Sequence, residues 1–400
     1  MTMTHREAVG APADLDHCPL MPTYGPPSVE FVRGRGAELW DRQDRRYLDL
    51  LSGLAVTSLG HSHPAVADAL ARQATRLLHV SNLYATEHNA EVARTLDRLI
   101  DAGPGQVFFC NSGAEANECA LKLARRFGGR GRHVVVSALQ SFHGRTLATL
   151  HATGQPAKWE VFQPLPEGFR HVVWNDLAEL ERALDDTVAA VLLEPVQGEG
   201  GVNPADPAFF AGVRRLCDER GILFMVDEVQ TGLARTGEWF GFQHFGVQPD
   251  VVTMAKALGN GVPIGACWAR RDVAAAFEPG DHATTYGGQP LATAAARAVL
   301  ATMEEIDAPA VSRERGAALT AALQELPQVT GVRGFGLLLA AELTEGIDAR
   351  VVAARCLERG LVLNGVTPSA LRLAPPLVLS DAQIAEATQI LGGVLDELSP

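Results

Sequence analysis

Short, nearly continuous apolar runs recur through the middle of the chain, at residues 107–110, 133–136, 189–193, 222–226 and 251–254. Apolar positions at helical spacing lie between them and predict helices over 114–126, 177–184 and 207–219. A strand that is apolar at every position is buried on both faces, and helices between such strands supply the crossovers of a mostly parallel sheet. The pattern therefore predicts an α/β fold for the middle of the chain. On either side the pattern differs. Val29, Phe31 and Val32, then Leu39 and Trp40, then Tyr47 and Leu48 mark short strands joined by a polar turn at residues 41–45, and Val66, Leu70, Ala74, Leu77 and Leu78 predict a helix over 64–78. From about residue 292 the chain turns to long helices (291–306, 313–326), short strands (337–342, 361–363, 371–373) and a last helix from Asp381, the pattern of a smaller α+β domain.

These patterns predict three parts: residues 1–55 as an N-terminal arm with part of the small domain, 56–290 as the large domain, and 291–400 as the C-terminal small domain. Residues 1 to about 28, rich in Pro, Thr and Asp, read as an extended arm. The 400-residue length agrees with two or three domains. A formal net charge of -13 argues against nucleic acid as a partner. The six cysteines are scattered and form no C-x-x-C pair, as expected of reduced thiols in a cytoplasmic protein. The first residues show no secretory signal, and no apolar run reaches the ~18 residues of a membrane span.

Three segments carry candidate chemistry. In Asn111-Ser112-Gly113-Ala114-Glu115, a strand gives way to a helix. Ser112 is placed to cap that helix, with Glu115 completing a capping box. The same turn offers free amides and the positive helix end to a phosphate. Spacing alone leaves both readings open. Asp227 and Glu228 end an apolar strand, where ligands bind in open α/β sheets. A carboxylate there serves as partner to a pyridine nitrogen or as a helix cap. With no His nearby, a metal fits less well. Lys256 follows a strand and precedes a glycine-rich turn. Partial desolvation there lowers an amine's pKa and frees it as a nucleophile; a lysine merely snorkelling off a strand end is the plainer reading.

Weaker signals lie elsewhere. Phe142 and Arg145 share a loop that places an aromatic ring beside a cation able to clamp a carboxylate. Glu199 is framed by glycines after another apolar strand. Thr284 and Thr285 offer two hydroxyls in one loop, and Arg372 is a lone cation in an apolar strand. His61 and His63 read as loop residues rather than ligands. Gly334-Phe335-Gly336 lacks the later glycine of a dinucleotide fingerprint. In chain order, a phosphate cradle, a stacking ring, a strand-end acid and a turn lysine are the parts that pyridoxal phosphate requires: anchor, ring clamp, nitrogen partner and imine.

From about Tyr24 to the C-terminus the chain resembles the class III (subgroup II) aminotransferases of fold type I, and within them the acetylornithine branch. The likeness rests on Tyr47-Leu48-Asp49, Ser52-Gly53-Leu54-Ala55-Val56, Gly60-His61-Ser62-His63-Pro64, Asn111-Ser112-Gly113-Ala114-Glu115-Ala116-Asn117, Phe142-His143-Gly144-Arg145-Thr146, Asp227-Glu228-Val229-Gln230-Thr231-Gly232 and Leu371-Arg372-Leu373-Ala374-Pro375.

The resemblance implies a homodimer with its active site at the subunit interface, pyridoxal 5'-phosphate as cofactor, and transfer of the terminal amine of N-acetylornithine to 2-oxoglutarate in arginine biosynthesis. It implies Lys256 as Schiff-base lysine and proton carrier, and Asp227 as the pyridinium partner. Ser112, Gly113 and Ala114 become the phosphate cradle, with Thr285 reaching in from the other subunit. Phe142 and Val229 become the ring sandwich, and Gln230 a neighbour of the ring oxygen. On the substrate side it implies Arg372 for the α-carboxylate of glutamate, Glu199 as the group that masks it, and Arg145 as the clamp for the acetylornithine carboxylate; Thr284 joins this side. The chain departs from the family pattern in three places. The turn at residues 41–45 lacks the glycine usual before Tyr47, Gln289 stands where asparagine is common, and Tyr84-Ala85 replaces a Phe-Tyr pair near the expected substrate entrance. Leu54 stands where ornithine aminotransferases carry a tyrosine that holds a free α-amino acid head, a hydrogen bond leucine cannot make.

Overall fold

Seven strands form the central sheet in the order Gly105–Cys110, Gly265–Arg270, Val251–Met254, Leu223–Asp227, Val188–Leu193, Val134–Ala138, Phe169–Val172. In the computed structural model, which describes residues 20–399, all its pairings are parallel except those of Gly265–Arg270, which runs antiparallel to both neighbours. The unbroken apolar character of the strands has a direct cause. Alternate residues point to opposite faces. Leu223 and Met225 pack with Cys119, Ala120 and Leu123 of helix Gly113–Gly128. Phe224 and Val226 pack with Phe210 and Val213 of helix Pro207–Arg220 on the other side. Both faces are covered, so no position tolerates a polar residue until the strand reaches Asp227 at its carboxyl end.

Segments from the two flanking parts of the chain share a sheet. Strands Phe31–Arg35, Glu38–Asp41 and Arg46–Asp49 form an antiparallel sheet that Leu361–Val362 extends in parallel, with Leu361 opposite Leu48. A second four-stranded sheet contains Val329–Phe335, Leu338–Leu343, Ala370–Leu373 and Asn364–Gly365. The helices Pro290–Glu305, Ala308–Gln324 and Asp381–Leu398 lie where the periodicity predicts them.

Several elements differ from the reading of the chain. The strands Gly265–Arg270, Phe169–Val172 and Val329–Phe335 and the helix Ala349–Glu358 are not among the predicted elements; polar residues or glycines break the two strands Phe169–Val172 and Val329–Phe335. The helix from Pro64 ends at Ala74, with Leu77 and Leu78 exposed beyond it rather than on its buried face. Residues 20–28 hold no helix or strand; the rest of the expected N-terminal arm lies outside the described residues. Among the described residues no helix is long and apolar enough to cross a membrane.

Candidate active site

A cavity of about 390 Å³ opens at the carboxyl ends of the parallel strands. Ser112, Gly113, Ala114, Phe142 and Arg145 line one side, and Glu199, Asp227, Val229, Gln230 and Lys256 the other. Ten of the residues singled out in the sequence, scattered over some 140 positions, thus meet in one place.

The helix that begins at Gly113 is capped by Ser112, whose Oγ accepts the Glu115 amide at 3.2 Å. The Glu115 carboxylate reaches past Ser112 and accepts the Asn111 amide at 2.6 Å, so the capping box is displaced by one residue. Ser112 takes only one of the four orphan amides of the first turn, which leaves the amides of Gly113 and Ala114 facing the cavity. The cradle is tight: a Cβ on Gly113 would come within 2.8 Å of the Val229 side chain, and one on Gly144 within 2.9 Å of the Ala114 Cβ. The two readings of this turn therefore coexist, since the cap and the free amides use different groups.

Asp227 sits at the end of its strand and is buried. Its Oδ2 accepts from Asn117 Nδ2 at 2.7 Å and lies 2.8 Å from His143 Nδ1, while its Oδ1 accepts the Val229 amide at 3.0 Å. Thr253 Oγ1 in turn donates to Asn117 Oδ1 at 2.7 Å. These partners hold the carboxylate in one orientation. Glu228, one residue on, points the other way. It accepts the amides of Gly241 and Phe242 at 2.9 and 2.8 Å and the Thr231 hydroxyl, and burial pushes its carboxyl up to about 7. Of the two adjacent acids, Asp227 faces the cavity and Glu228 caps a short helical turn. The described residues include no cluster of His, Cys, Asp or Glu able to hold a metal ion.

Lys256 follows strand Val251–Met254 with a left-handed φ of 39°, a strained conformation for a residue with a side chain. Burial lowers its ammonium to about 8. Glu199, Asp227 and Glu194 oppose that fall, and Arg372 adds to it. At the far side, Arg372 is almost fully buried and its Nη1 donates to Glu199 Oε1 at 2.5 Å, with Asn364 Oδ1 3.2 Å from its Nε. Burial pushes the Glu199 carboxyl up, but the Arg372 guanidinium more than reverses this and holds it below the usual range. Glu194, also in the wall, accepts the Phe142 amide at 3.1 Å, and burial raises it well above the carboxylate range.

Thr284 and Thr285 fall outside the lining, and Arg145 stands at its edge. Thr284 Oγ1 accepts the Gly287 amide at 3.1 Å, and Thr285 is exposed on the same loop. Arg145 is exposed at the rim. His61 Nε2 lies 2.7 Å from Asp49 Oδ2, away from the cavity wall, in keeping with a structural loop residue. Leu54 belongs to the turn Ser52–Ala55, where Ser52, Leu54 and Ala55 all adopt left-handed φ near 50–70°. Asp49 Oδ1, accepting the Leu51 and Ser52 amides at 2.8 Å each, pins this turn beside Val56 of the cavity wall.

Reading of the sequence did not assign Asn117, His143 or Glu194. Asn117 had a visible signal, as a polar residue on the apolar face of its helix between Ala116 and Ala120. His143 and Glu194 had none, since only the fold brings them to Asp227 and Phe142.

The free amides at a helix start, the tight glycine cradle, the strand-end carboxylate and the buried, unpartnered His143 Nε2 fit a flat heteroaromatic phosphate. The model of the family described as aminotransferase class-III matches residues 21–395. An acetylornithine aminotransferase of Gloeobacter violaceus is 50% identical over 388 residues, which are 95% of this chain and 96% of that one. The solved N-acetylornithine aminotransferase of Stenotrophomonas maltophilia superposes with a TM-score of 0.82 at 36% identity, covering 94% of this chain and 97% of its own. The ornithine aminotransferase of Toxoplasma gondii superposes with a TM-score of 0.90 at 32% identity, covering 96% and 93%. The backbone alone thus matches enzymes named for either substrate, the ornithine enzyme with the higher score. With this cavity at the strand ends and a likeness that spans nearly the whole chain, the protein belongs to the class-III aminotransferases, transaminases of fold type I that depend on pyridoxal phosphate.

Proposed function

We propose that the protein transfers the terminal amino group of N-acetylornithine to 2-oxoglutarate, yielding N-acetylglutamate semialdehyde and glutamate. The observation that carries this reading is the Glu199–Arg372 pair at 2.5 Å, its arginine buried and its glutamate partly exposed. An enzyme that alternates between a distal amine and an α-amino acid must hide a carboxylate-binding cation in one half of its cycle and expose it in the other. With Glu199 on Arg372, the cavity suits the distal amine; with Glu199 displaced, Arg372 takes the α-carboxylate of 2-oxoglutarate or glutamate. Arg145 at the rim receives the acetylornithine carboxylate. Leu54, in place of a hydroxyl-bearing residue, argues against a free ornithine head, and the high identity to named acetylornithine enzymes supports the same choice.

When bound, pyridoxal phosphate supplies an electrophilic carbon for the amine and a ring that stores the electron pair left by the departing proton. The chain's own residues set up that chemistry. Ser112 and the amides of Gly113 and Ala114 hold a phosphate, with Thr285 offered by a second copy. Phe142 and Val229 would hold the cofactor's ring, with Gln230 in the same wall. Asp227, a fixed carboxylate, would keep the ring nitrogen protonated. Lys256, with its ammonium lowered to about 8, has a substantial neutral fraction near neutral pH and removes the proton from the substrate carbon that bears the transferred nitrogen.

The assembly proposed is a homodimer. Leu83, Tyr84 and Tyr286 are 85%, 71% and 68% exposed. Asn82 Nδ2 ties their two segments together by donating to the carbonyls of Thr284 and Gly287 at 3.0 Å each. This apolar surface beside the exposed Thr285 suits a partner subunit. In the same reading, residues 56–290 form the cofactor-binding domain, flanked by the parts 1–55 and 291–400, and the buried free cysteines suit a cytoplasmic protein.

A donor panel tests the reaction. N-acetylornithine should bleach the visible cofactor absorbance of the holoenzyme much faster than ornithine, 4-aminobutyrate or lysine at equal concentration. Equal rates for ornithine and N-acetylornithine would overturn the donor assignment.

A further inference from the structure

A second cation stands at the mouth of the cavity. Lys158 lies on the short helix Pro156–Trp159, beyond the loop that carries Phe142 and Arg145. Its Nζ is 5.2 Å from the centre of the Phe142 ring, and Arg145 Cζ is 5.5 Å from the same centre. Two cations thus meet at one aromatic wall of the active site, and Glu194 fixes that wall through the Phe142 amide. Arg372 is neutralised by Glu199, but among the described residues neither Lys158 nor Arg145 forms an ion pair.

Lys158 is half-buried. Burial lowers its ammonium below the ordinary lysine range. Glu199 and Glu194 oppose the fall, while Arg145 and Arg372 add to it, so this amine senses the charges of the cavity on every side. A partly desolvated cation without a counter-ion, beside a second cation, is unfavourable. An anion that bridges the two relieves both terms at once.

We propose that Lys158 is a substrate-binding residue that forms, with Arg145, a two-cation seat for the carboxylate remote from the transferred nitrogen. This rests on the role proposed above for Arg145. In N-acetylornithine that carboxylate is the α-carboxylate; in 2-oxoglutarate it is the one at the end of the chain. The two lie at separations from the reacting nitrogen that differ by a single carbon. The planar guanidinium of Arg145 is suited to grip two oxygens in a fixed fork. The ammonium of Lys158, a point charge on a flexible stem, follows the carboxylate across that one-carbon difference.

The test uses enzyme reconstituted with the aminated cofactor, so that the keto-acid half of the reaction is read without any amine donor. In Lys158→Met the KM for 2-oxoglutarate should rise about tenfold, the loss of one charge-assisted contact. That for pyruvate, which has no remote carboxylate, should stay within twofold, and Lys158→Arg should recover most of the loss. Calorimetry should show glutarate binding to the cofactor-free Lys158→Met protein weakened in parallel, and Lys158→Gln serves if the Met variant folds poorly. The seat is overturned if 2-oxoglutarate and glutarate keep their parent constants while Arg145→Ala loses them. It is equally overturned if 2-oxoglutarate and pyruvate weaken together. Failure of the donor assignment would show instead in the donor panel, with this keto-acid profile intact.

Discussion

The floor and the mouth of the cavity are built on opposite electrostatic plans. On the floor the carboxylate of Asp227 and the guanidinium of Arg372 each have fixed partners, and only the Lys256 amine has none among the described residues. Asp227 is held by Asn117, His143 and the Val229 amide, and Arg372 is covered by Glu199. At the mouth, Arg145 and Lys158 have no carboxylate partner among the described residues. A group that stays bound through every turnover rewards a fixed, fully hydrogen-bonded setting, because the cost of orienting the partners is met on folding. Substrates that come and go need charges left open for them. The Glu199–Arg372 pair lies between the two plans, matched in one state and open in the next.

The largest effect should come from the floor. Lys256→Ala should lower turnover by at least ~10²–10⁴-fold, the range for loss of a general base, because this amine also attaches the cofactor. Single-turnover kinetics at saturating cofactor would measure it, and a loss below tenfold would place the proton carrier elsewhere. Breaking the intermediate element should redirect specificity rather than abolish activity. Glu199→Ala unmasks Arg372 permanently, so kcat/KM for glutamate relative to N-acetylornithine should rise about tenfold, one charge-assisted contact's worth. An unchanged ratio would show that the pair is structural.

The third prediction concerns pH. The folded value for Lys256 is about 8 against an ordinary value of 10.5, so between these limits the unfolded chain binds this proton and the folded chain does not. The contribution is therefore destabilising, is fully present below pH 8, and fades as pH rises towards 10.5. Cofactor-free Lys256→Met should be more stable than the parent by up to about 3 kcal/mol at pH 7, with the advantage shrinking through that window. Denaturant unfolding of both proteins across the range would check the slope, and a pH-independent difference would mean that the amine is solvated. The smallest effect should be that of Ser112→Ala. Loss of the cap should cost about 1 kcal/mol in the cofactor-free protein, read as a lower urea midpoint, and the holoenzyme should release cofactor faster on dialysis.

Much of the architecture was legible because burial on both faces forces unbroken apolar strands, as in Val188–Leu193 and Leu223–Asp227. Gly265–Arg270, buried between two neighbours, holds four apolar residues in a row at 266–269, and nothing local separates it from the strands that the pattern predicts. The helix from Pro64 was read too long because Leu77 and Leu78 keep the helical spacing while serving an exposed surface. Within the site, Ser112, Asp227 and Lys256 were recognisable because each sits at the junction of a strand with a turn or helix, a place that local pattern marks. Lys158 was not, since a lysine on a four-residue helix looks like any solvated one until the fold sets it against Phe142.

The sequence by itself determined which segments are buried strands, where they end, and which residues stand at those ends, because these are properties of local period and composition. Only the tertiary structure decided which of two adjacent acids serves the cavity. Successive side chains leave a strand on opposite faces, so Asp227 turns to the site and Glu228 to the amides of Gly241 and Phe242. It alone decided, too, that Arg372 meets a glutamate 173 residues away. A pairing over that distance depends on the path of the whole chain, and no local pattern encodes it.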